Sequence, residues 1–200
     1  MSDEPWQWRT QNGPWLTLRP ITLEDRARYA TYVDGLSYGT RYFRFGHGNL
    51  HLTESELDLV CLISPAEGRH YVVVTAESEE DIIVAAGGFS RHADGESCEM
   101  TMAVTDAWQG TQIAHRLMTK LIERAAADRL KCMMAQVLAT NRKMLRFTQR
   151  HGFGLLPSQS HEAIKECCLR LDGGVCQCQT NSIIRSCGQR AAVVGQPAHA

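Results

Sequence analysis

The sequence predicts an α/β (α+β) domain built on a mostly antiparallel sheet, and three observations support this prediction. Residues 71–76 and 82–90 are predicted to be two strands separated by an acidic hairpin, and the segment that begins at Cys98 alternates and contains β-branched residues, as is typical of a strand. Two capping boxes, each a threonine followed three positions later by an acidic residue, indicate helix starts. Residues 98–118 then pass from an alternating segment through a polar turn into a segment with helical period.

The N-terminal half contains two predicted helices, and the capping boxes mark their starts. Thr22 with Asp25 opens the first helix, and Thr53 with Glu56 opens the second. The predicted elements are, in order, an irregular arm (1–14), a strand (15–19), a helix (22–33), a loop or short helical turn (37–51) and a helix (54–63).

The C-terminal half continues as a meander of strands followed by helix and strand segments. Gly87 and Gly88 interrupt one strand, where we expect a bulge or a close backbone approach. After Asp172 apolar periodicity is lost, so we predict a domain over residues 15–172 and a poorly ordered tail over 173–200. The predicted elements are strands 71–76, 82–90 and 97–104, the hairpin 77–81, a helix after the turn at 109–114, a strand 133–139, a helix 141–150, and a strand pair 153–155 and 164–171.

The helix after the turn is amphipathic. Its apolar residues recur every three or four positions and predict a core-facing stripe, whereas its charged residues are expected mostly outside. The stripe contains Ile113, Leu117, Met118, Leu121, Ile122 and Ala125, and the charged set contains Arg116, Lys120, Glu123, Arg124 and Asp128.

Length and charge exclude several classes of partner. A chain of 200 residues is near the size of one domain. A formal net charge of -1 creates no long-range field that favours nucleic acid or an anionic membrane. No apolar run reaches the roughly 18 residues of a membrane span, and the first residues lack the features of a secretory signal. We expect a cytoplasmic monomer or homodimer that binds neither nucleic acid nor membrane.

The turn at residues 109–114 has the chemistry of an anion site. A strand that leads into a helix N-terminus directs several backbone N–H groups and the positive end of the helix dipole at one point, which suits a phosphate or pyrophosphate. The alternative interpretation is an ordinary helix start after a strand.

Two separated motifs strengthen the anion-site interpretation. One is Gln109-Gly110-Thr111-Gln112-Ile113-Ala114, and the other is Asn141-Arg142-Lys143-Met144 followed by Arg150-His151-Gly152-Phe153. Over roughly residues 15–171 the chain resembles the GNAT family of acetyl-CoA-dependent N-acetyltransferases. Its signature Arg/Gln-x-x-Gly-x-Gly/Ala is matched at the first and last positions, while Gln112 replaces the middle glycine.

The resemblance implies a GNAT fold, with a central mixed sheet splayed at the acetyl-CoA site and helices on both faces. It implies acetyl-CoA as cosubstrate and no metal. The backbone N–H of Val104 would bond the thioester carbonyl and stabilise the oxyanion. The implied acetyl-CoA contacts are Val104, Gln109, Gly110, Thr111, Gln112, Ile113, Ala114, Asn141 and Met144. Asn141 can equally serve as the N-cap of its helix.

Three features further resemble the acetyltransferase domain of bacterial protein lysine acetyltransferases: the segment at 18–21, the segment at 41–45, and Glu99. This resemblance implies a protein lysine acceptor that attacks directly in a ternary complex, with Glu99 as general base. From composition alone, Glu99 would be a solvated strand residue. Thr148 occupies the position of the tyrosine that protonates the leaving thiolate in many relatives, so water or His151 would have to serve instead.

Two other residue groups have more than one interpretation. The aromatic residues of 42–45 would anchor a loop, which we favour, or form the wall of an acceptor channel in which Arg41 and Arg44 attract carboxylates. Cys61, Cys98 and Cys132 are expected to be buried thiols. A second group lies toward the C-terminus and could ligate zinc, although irregular spacing favours incidental thiols; it contains Cys167, Cys168, Cys176, Cys178 and Cys187.

The sequence leaves three functions open. The first is acetylation of protein lysines, and the second is acetylation of a small amine or antibiotic. The third is a non-catalytic module that binds acyl-CoA and regulates a partner, which the departures at Gln112 and Thr148 would suit.

Overall fold

The computed structural model describes residues 4–10, 13–75, 81–157 and 163–173. The predicted hairpin at 77–81 and the tail at 173–200 lie almost entirely outside these residues. The described elements are β1 (Trp6–Arg9), β2 (Trp15–Pro20), α1 (Arg26–Gly35), α2 (Tyr38–Phe45), α3 (Glu54–Cys61), β3 (Gly68–Thr75), β4 (Ile82–Arg91), β5 (Ser97–Val104), α4 (Ile113–Ala127), β6 (Cys132–Leu138), α5 (Arg142–Arg150), β7 (Gly154–Leu155) and β8 (Ile164–Arg170). Short 3-10 turns precede α1 and α4, at Leu23–Asp25 and Asp106–Trp108.

The described strands form one eight-stranded sheet in the order β1-β2-β3-β4-β5-β6-β8-β7. β5 pairs with β6 in parallel, whereas β2 pairs antiparallel with β1 and β3, and β8 pairs antiparallel with β6 and β7. The predicted α/β fold with a mixed, mostly antiparallel sheet is therefore confirmed.

The chain divides into two compact units. The first contains Met1–Gly88 and Thr101–Leu121, and the second contains Phe89–Met100 and Ile122–Ala200. In the first unit, apolar side chains from α1, α2 and α3 pack with side chains of β3 and β4. This cluster contains Ile21, Tyr29, Tyr32, Val33, Leu36, Phe45, Leu57, Cys61, Val72, Val74, Ile83 and Ala86.

In the second unit, β6 lies between β5 and β8, and its apolar residues are buried in alternation. Met133, Ala135 and Val137 are at most 4% exposed, as expected for one covered face of a strand. Gly152 follows α5 with a φ of 87° and provides the left-handed residue that ends this helix.

The N-terminal arm was predicted to be irregular, and this prediction was wrong for β1. Residues Trp6–Arg9 pair antiparallel with residues of β2. Trp8 is buried, and the guanidinium carbon of Arg116 lies 4.9 Å and 5.1 Å from the ring centroids of Trp6 and Trp8. Four residues are too few to display a strand period, so the pairing partner decides the conformation.

The segment at 37–51 was predicted as a loop or short helical turn, but it contains the two-turn helix α2. Ser37 is its N-cap and accepts a hydrogen bond from the Thr40 backbone N–H, and Gly46 ends the helix with a φ of 79°. Gly39 and the neighbouring aromatic residues give this segment a poor intrinsic helix propensity. Burial of Phe45 and capping by Ser37 offset that propensity.

The amphipathic stripe of α4 is confirmed, because Ile113, Leu117 and Leu121 are fully buried. Two charged residues on this segment depart from the expected outward position. Lys120 is 8% exposed, and its Nζ lies 5.8 Å from the Tyr71 ring centroid. The buried Asp128 side chain accepts from Arg91 at 2.8 Å and lies 2.9 Å from Arg124. An aromatic face and paired cations make burial of these two charges tolerable.

The two glycines of β4 are sites of close backbone approach, as predicted. A Cβ at Gly87 would lie 2.8 Å from the Cβ of Met102 and 2.9 Å from the carbonyl oxygen of Thr101. A Cβ at Gly88 would lie 2.3 Å from the carbonyl oxygen of Arg69. Any larger residue would therefore force the neighbouring backbone apart.

Both predicted capping boxes form, although α3 ends at Cys61 rather than near residue 63. Cys61 and Cys98 are buried thiols as expected, whereas Cys132 is only partly buried.

In the described part of the chain, no helix combines the length and apolarity needed to cross a bilayer. Those same residues include no group of three or more potential metal ligands, and Cys176, Cys178 and Cys187 lie outside them.

Candidate active site

The first unit contains the turn that connects β5 to α4. Thr105 donates from its backbone N–H and its hydroxyl to the carbonyl of Val84, at 2.9 Å and 3.1 Å, which ties the end of β5 to β4. The Gln109 side chain then turns back, and its Nε2 lies 3.4 Å from the Val104 carbonyl oxygen. The turn is thus held against the last residue of β5.

The backbone of this turn has two left-handed residues just before the helix start. Gly110 and Gln112 have φ values of 83° and 61°, and α4 begins at Ile113. The Arg116 N–H donates to the Gln112 carbonyl at 3.0 Å, so Ile113 and Ala114 belong to the first turn, where N–H groups have no intrahelical acceptor. These groups and the positive end of the helix can attract a phosphate. Thr111 closes the turn by donating its hydroxyl to the Trp108 carbonyl.

Gln112 has a left-handed backbone, the conformation that glycine adopts without strain. A side chain at a φ of 61° costs roughly 1 kcal/mol and occupies space near the helix N-terminus. We expect Gln112→Gly to increase acetyl-CoA affinity by about twofold to tenfold, because ligand approach to the N–H groups becomes easier. Isothermal titration calorimetry with acetyl-CoA measures this change.

Arg129 provides the matched control, since it also has a φ of 61° but lies beyond the other end of α4. Arg129→Gly relieves the same type of strain and should leave acetyl-CoA affinity unchanged. An affinity that does not rise in Gln112→Gly, or that rises equally in both variants, contradicts the proposed obstruction by Gln112.

Asp106 fastens α2 to this turn, a link that sequence reasoning missed. Its carboxylate accepts from the Ser37 backbone N–H at 3.0 Å, the Ser37 hydroxyl at 2.9 Å and the Thr40 hydroxyl at 3.0 Å. Burial alone would raise the pKa of Asp106, but the hydrogen bonds from Ser37 and Thr40 outweigh it and hold the pKa below its usual value. The carboxylate therefore remains ionised and keeps its bonds at neutral pH.

The arginine and aromatic residues of α2 serve different purposes. Arg44 donates to the Thr101 hydroxyl at 3.0 Å, and Arg41 donates to the Asp34 carbonyl at 3.1 Å. Phe45 is buried and anchors the helix, as we favoured for this segment. Tyr42 and Phe43 remain 41% and 42% exposed and do not anchor it.

Glu99 lies on the part of β5 that belongs to the second unit, and its side chain is 17% exposed. Its Oε2 lies 3.9 Å from Nε2 of His92, whose side chain is 9% exposed at the start of the β4–β5 connection. The same imidazole lies 2.8 Å, through Nδ1, from the Ser97 hydroxyl. Glu99 is thus a partly buried carboxylate beside a histidine rather than a fully solvated strand residue.

The second sequence motif forms the start of α5 in the second unit. Asn141 is the N-cap, and its Oδ1 accepts from the Met144 backbone N–H at 3.1 Å. The capping interpretation of Asn141 is therefore correct. Asn141 can still contact the pantetheine arm through its side-chain amide nitrogen, because the cap uses only the amide oxygen.

Thr148 cannot protonate a leaving thiolate where it lies. Its side chain is fully buried, and its hydroxyl donates to the Leu145 carbonyl at 3.0 Å. Nδ1 of His151 lies 2.9 Å from the Phe147 carbonyl oxygen, so the position of this imidazole is set by its own helix.

Comparison with known proteins identifies the family. Residues 6–153 match the model of the acetyltransferase (GNAT) family. The chain belongs to the GNAT family. An acetyltransferase of Pseudomonas aeruginosa is 27% identical over 139 residues, which cover 70% of this chain and 75% of the relative. This acetyltransferase is therefore an N-acetyltransferase of a family that uses acetyl-CoA, and the enzymatic interpretation is favoured over a non-catalytic module.

Solved structures show the same fold. The GNAT domain of S. lividans PAT superposes with a TM-score of 0.72 at 18% identity, covering 83% of this chain and 96% of that one. Spermidine N-acetyltransferase from Vibrio cholerae, in complex with CoA and spermine, superposes with a TM-score of 0.64 at 16% identity, covering 78% and 95%. Both are similar in architecture to this acetyltransferase.

The predicted site residues fall into two groups. Val104, Gln109 and the turn up to Ala114 come together in the first unit. Asn141 and Met144 meet at the start of α5, while Glu99 pairs with His92. Sequence reasoning missed His92. The available signal was a histidine just after one predicted strand and a serine at the start of the next.

Proposed function

We propose that this enzyme transfers the acetyl group of acetyl-CoA to a primary amine of a protein lysine side chain, by direct attack within a ternary complex. The observation that carries this proposal is the environment of Glu99. Within the described residues this carboxylate pairs with His92 and with no lysine or arginine. It is therefore available to accept a proton.

The acceptor amine requires such a base. A free lysine has a pKa of about 10.4 and is almost fully charged at neutral pH, so it must lose a proton before its nitrogen can attack. Glu99 takes that proton in our proposal. A carboxylate beside an imidazole suits the role better than one already neutralised by a fixed cation.

The turn of the first unit supplies the donor side in this proposal. The pyrophosphate of acetyl-CoA binds the N–H groups of Gly110, Thr111, Gln112, Ile113 and Ala114, and the Val104 N–H stabilises the oxyanion. The thiolate that departs has a pKa of about 8.5, so water suffices to protonate it while Thr148 remains buried.

The acceptor class rests on two supports. The GNAT domain of S. lividans PAT shares the fold, and the resemblance at residues 18–21, 41–45 and Glu99 points to the same group of domains. Tyr38, Tyr42 and Phe43 present exposed aromatic surface on α2, which suits contact with a protein. A polyamine is the second candidate, since the Vibrio cholerae relative was solved with spermine.

The test is release of free thiol from acetyl-CoA, measured with a panel of lysine-rich proteins, polyamines and aminoglycosides. We expect release with protein acceptors, and mass spectrometry should place the acetyl group on lysine Nζ. Release with polyamines or aminoglycosides but with no protein would reassign the acceptor to small amines. Repeating the panel with Glu99→Gln tests the base in the same assay.

A further inference from the structure

Four polar side chains form a continuous chain around the β4–β5 connection. Nε2 of His92 lies 3.9 Å from Glu99 Oε2, and Nδ1 of His92 lies 2.8 Å from Ser97 Oγ. Ser97 Oγ in turn lies 2.6 Å from Asp94 Oδ2. Ser97 is buried and Asp94 is exposed, so the chain leads from the partly buried Glu99 toward solvent.

The connection that holds these groups is itself well ordered by hydrogen bonds. The other oxygen of Asp94 accepts from the backbone N–H groups of Glu96 and Ser97, both at 2.9 Å. The His92 N–H donates to the Ser97 carbonyl at 2.9 Å, and Gly95 adopts a φ of 69° that closes the turn. The positions of His92 and Ser97 are thus fixed by the backbone as well as by their side chains.

This arrangement determines which nitrogen of His92 carries the proton. Asp94 as a carboxylate can only accept, so the single hydroxyl hydrogen of Ser97 points to Asp94. The Ser97 oxygen must then accept from Nδ1–H of His92. In the neutral imidazole, Nε2 consequently has a lone pair, and this nitrogen is the one that faces Glu99.

We propose that His92 receives from Glu99 the proton that the carboxylate takes from the acceptor amine, and that Ser97 and Asp94 hold the imidazole in the tautomer this transfer requires. The inference rests on the proposed role of Glu99 as base. The O–H bond of protonated Glu99 breaks as an N–H bond forms at Nε2. The carboxylate is regenerated, and the imidazolium then loses a proton to solvent.

The surroundings of His92 favour this transfer. Asp94 and Glu99 are carboxylates that interact with His92, and the β6 residues opposite Ser97 and Glu99 are Cys132 and Met134. Burial by itself would raise the pKa of Asp94, but hydrogen bonds from Ser97 and Glu96 lower it, so Asp94 remains anionic and stabilises an imidazolium. The 3.9 Å separation exceeds a hydrogen bond, as is common at catalytic pairs before substrate binds.

The tautomer can be measured directly and independently of the acceptor. Two-bond ¹H–¹⁵N correlation spectra of the protein, at a pH where His92 is neutral, should show the proton on Nδ1. Ser97→Ala removes the acceptor for this proton and should shift the spectrum toward a mixture of tautomers, while His51 keeps its wild-type signals. A proton on Nε2 in the wild type would overturn the proposal even if Glu99 proves to be the base.

Steady-state kinetics test the proton transfer from Glu99 to His92. The first acceptor is Nα-acetyl-lysine amide, followed by any acceptor that is active in the thiol-release panel. His92→Ala should lower kcat by about 10-fold to 100-fold with acetyl-CoA KM nearly unchanged, because one proton transfer is lost. Added imidazole should restore part of kcat, which a purely structural defect would not permit.

His51 is the matched control, because its Nδ1 lies 2.9 Å from Asp34 Oδ1 in an exposed histidine–carboxylate pair. His51→Ala should retain full kcat and show no response to imidazole. A folded His92→Ala variant with normal kcat, or a loss that imidazole cannot reverse, contradicts the relay. If Glu99→Gln is fully active, Glu99 is not the base and the proposed function fails at that step. The spectra would still report the tautomer of His92.

Discussion

Glu99→Gln is expected to lower kcat by about 100-fold or more, with acetyl-CoA affinity changed by less than about twofold. The amide retains the size of the carboxylate but cannot accept the amine proton. The side chain is only 17% exposed, so bulk water does not readily replace it. Initial rates of thiol release at saturating acetyl-CoA, together with calorimetric titration of acetyl-CoA, separate turnover from binding.

Glu96→Gln is the matched control for this substitution. Glu96 lies just before β5 and forms an exposed ion pair with Lys131, both side chains being more than half exposed. Its loss should leave kcat and acetyl-CoA affinity as they are in the wild type. A kcat of Glu99→Gln equal to that of Glu96→Gln would exclude Glu99 as the base.

Arg19→Ala is expected to destabilise the protein by about 3 kcal/mol, the largest stability effect that we predict. Arg19 donates to both oxygens of Asp25, at 2.6 Å and 2.8 Å, and the Asp25 side chain is fully buried. Removing the guanidinium would leave a buried carboxylate without its principal cation. Urea unfolding at neutral pH, followed by circular dichroism, measures the change in free energy of unfolding.

The same pair predicts how stability depends on pH. Burial would raise the pKa of Asp25, but hydrogen bonds from Arg19 and Thr22 outweigh it and lower the pKa to about 2. An unfolded aspartate has a pKa of about 3.9, so the stabilisation is complete above that value and is lost as the pH falls toward 2. The wild type should lose stability across this window, and Arg19→Ala should lose much less.

Arg26→Ala provides the comparison for a surface pair. Arg26 contacts Glu54 at 2.6 Å and Asp58 at 3.1 Å, but these two carboxylates are 82% and 44% exposed. Solvent screens such pairs, so the expected loss is below about 1 kcal/mol. Equal losses of unfolding free energy in Arg26→Ala and Arg19→Ala would show that burial of Asp25 does not strengthen its ion pair with Arg19.

Local hydrogen bonding explains which elements could be predicted from the sequence. Thr53 and Glu56 satisfy each other's backbone N–H groups within one helical turn, so their spacing alone identifies the start of α3. The stripe along α4 is similarly local, because a period of three to four residues places its members on one face. Gly152 could be placed at the end of α5 for the same reason.

The candidate site was only partly predictable. The turn that begins α4 could be predicted because Gln109 and Ala114 match the first and last positions of a contiguous motif. The left-handed backbone of Gln112 and the pairing of Glu99 with His92 were not identified, since neither follows from the spacing of residues along one element. The family motif predicts the position of the site, whereas the neighbours of its residues follow only from the folded chain.

The sequence by itself predicted most of the strands and helices, both capping boxes and a turn that suits an anion, because each depends on residues within a few positions of one another. Tertiary structure alone decided that 6–9 form a strand, that α2 is a helix fastened through Ser37 to Asp106, and that Lys120 is buried. Ser37 and Asp106 are 69 positions apart, and no local pattern records such a contact. Contacts of this kind form only when packing of the apolar core brings distant segments together.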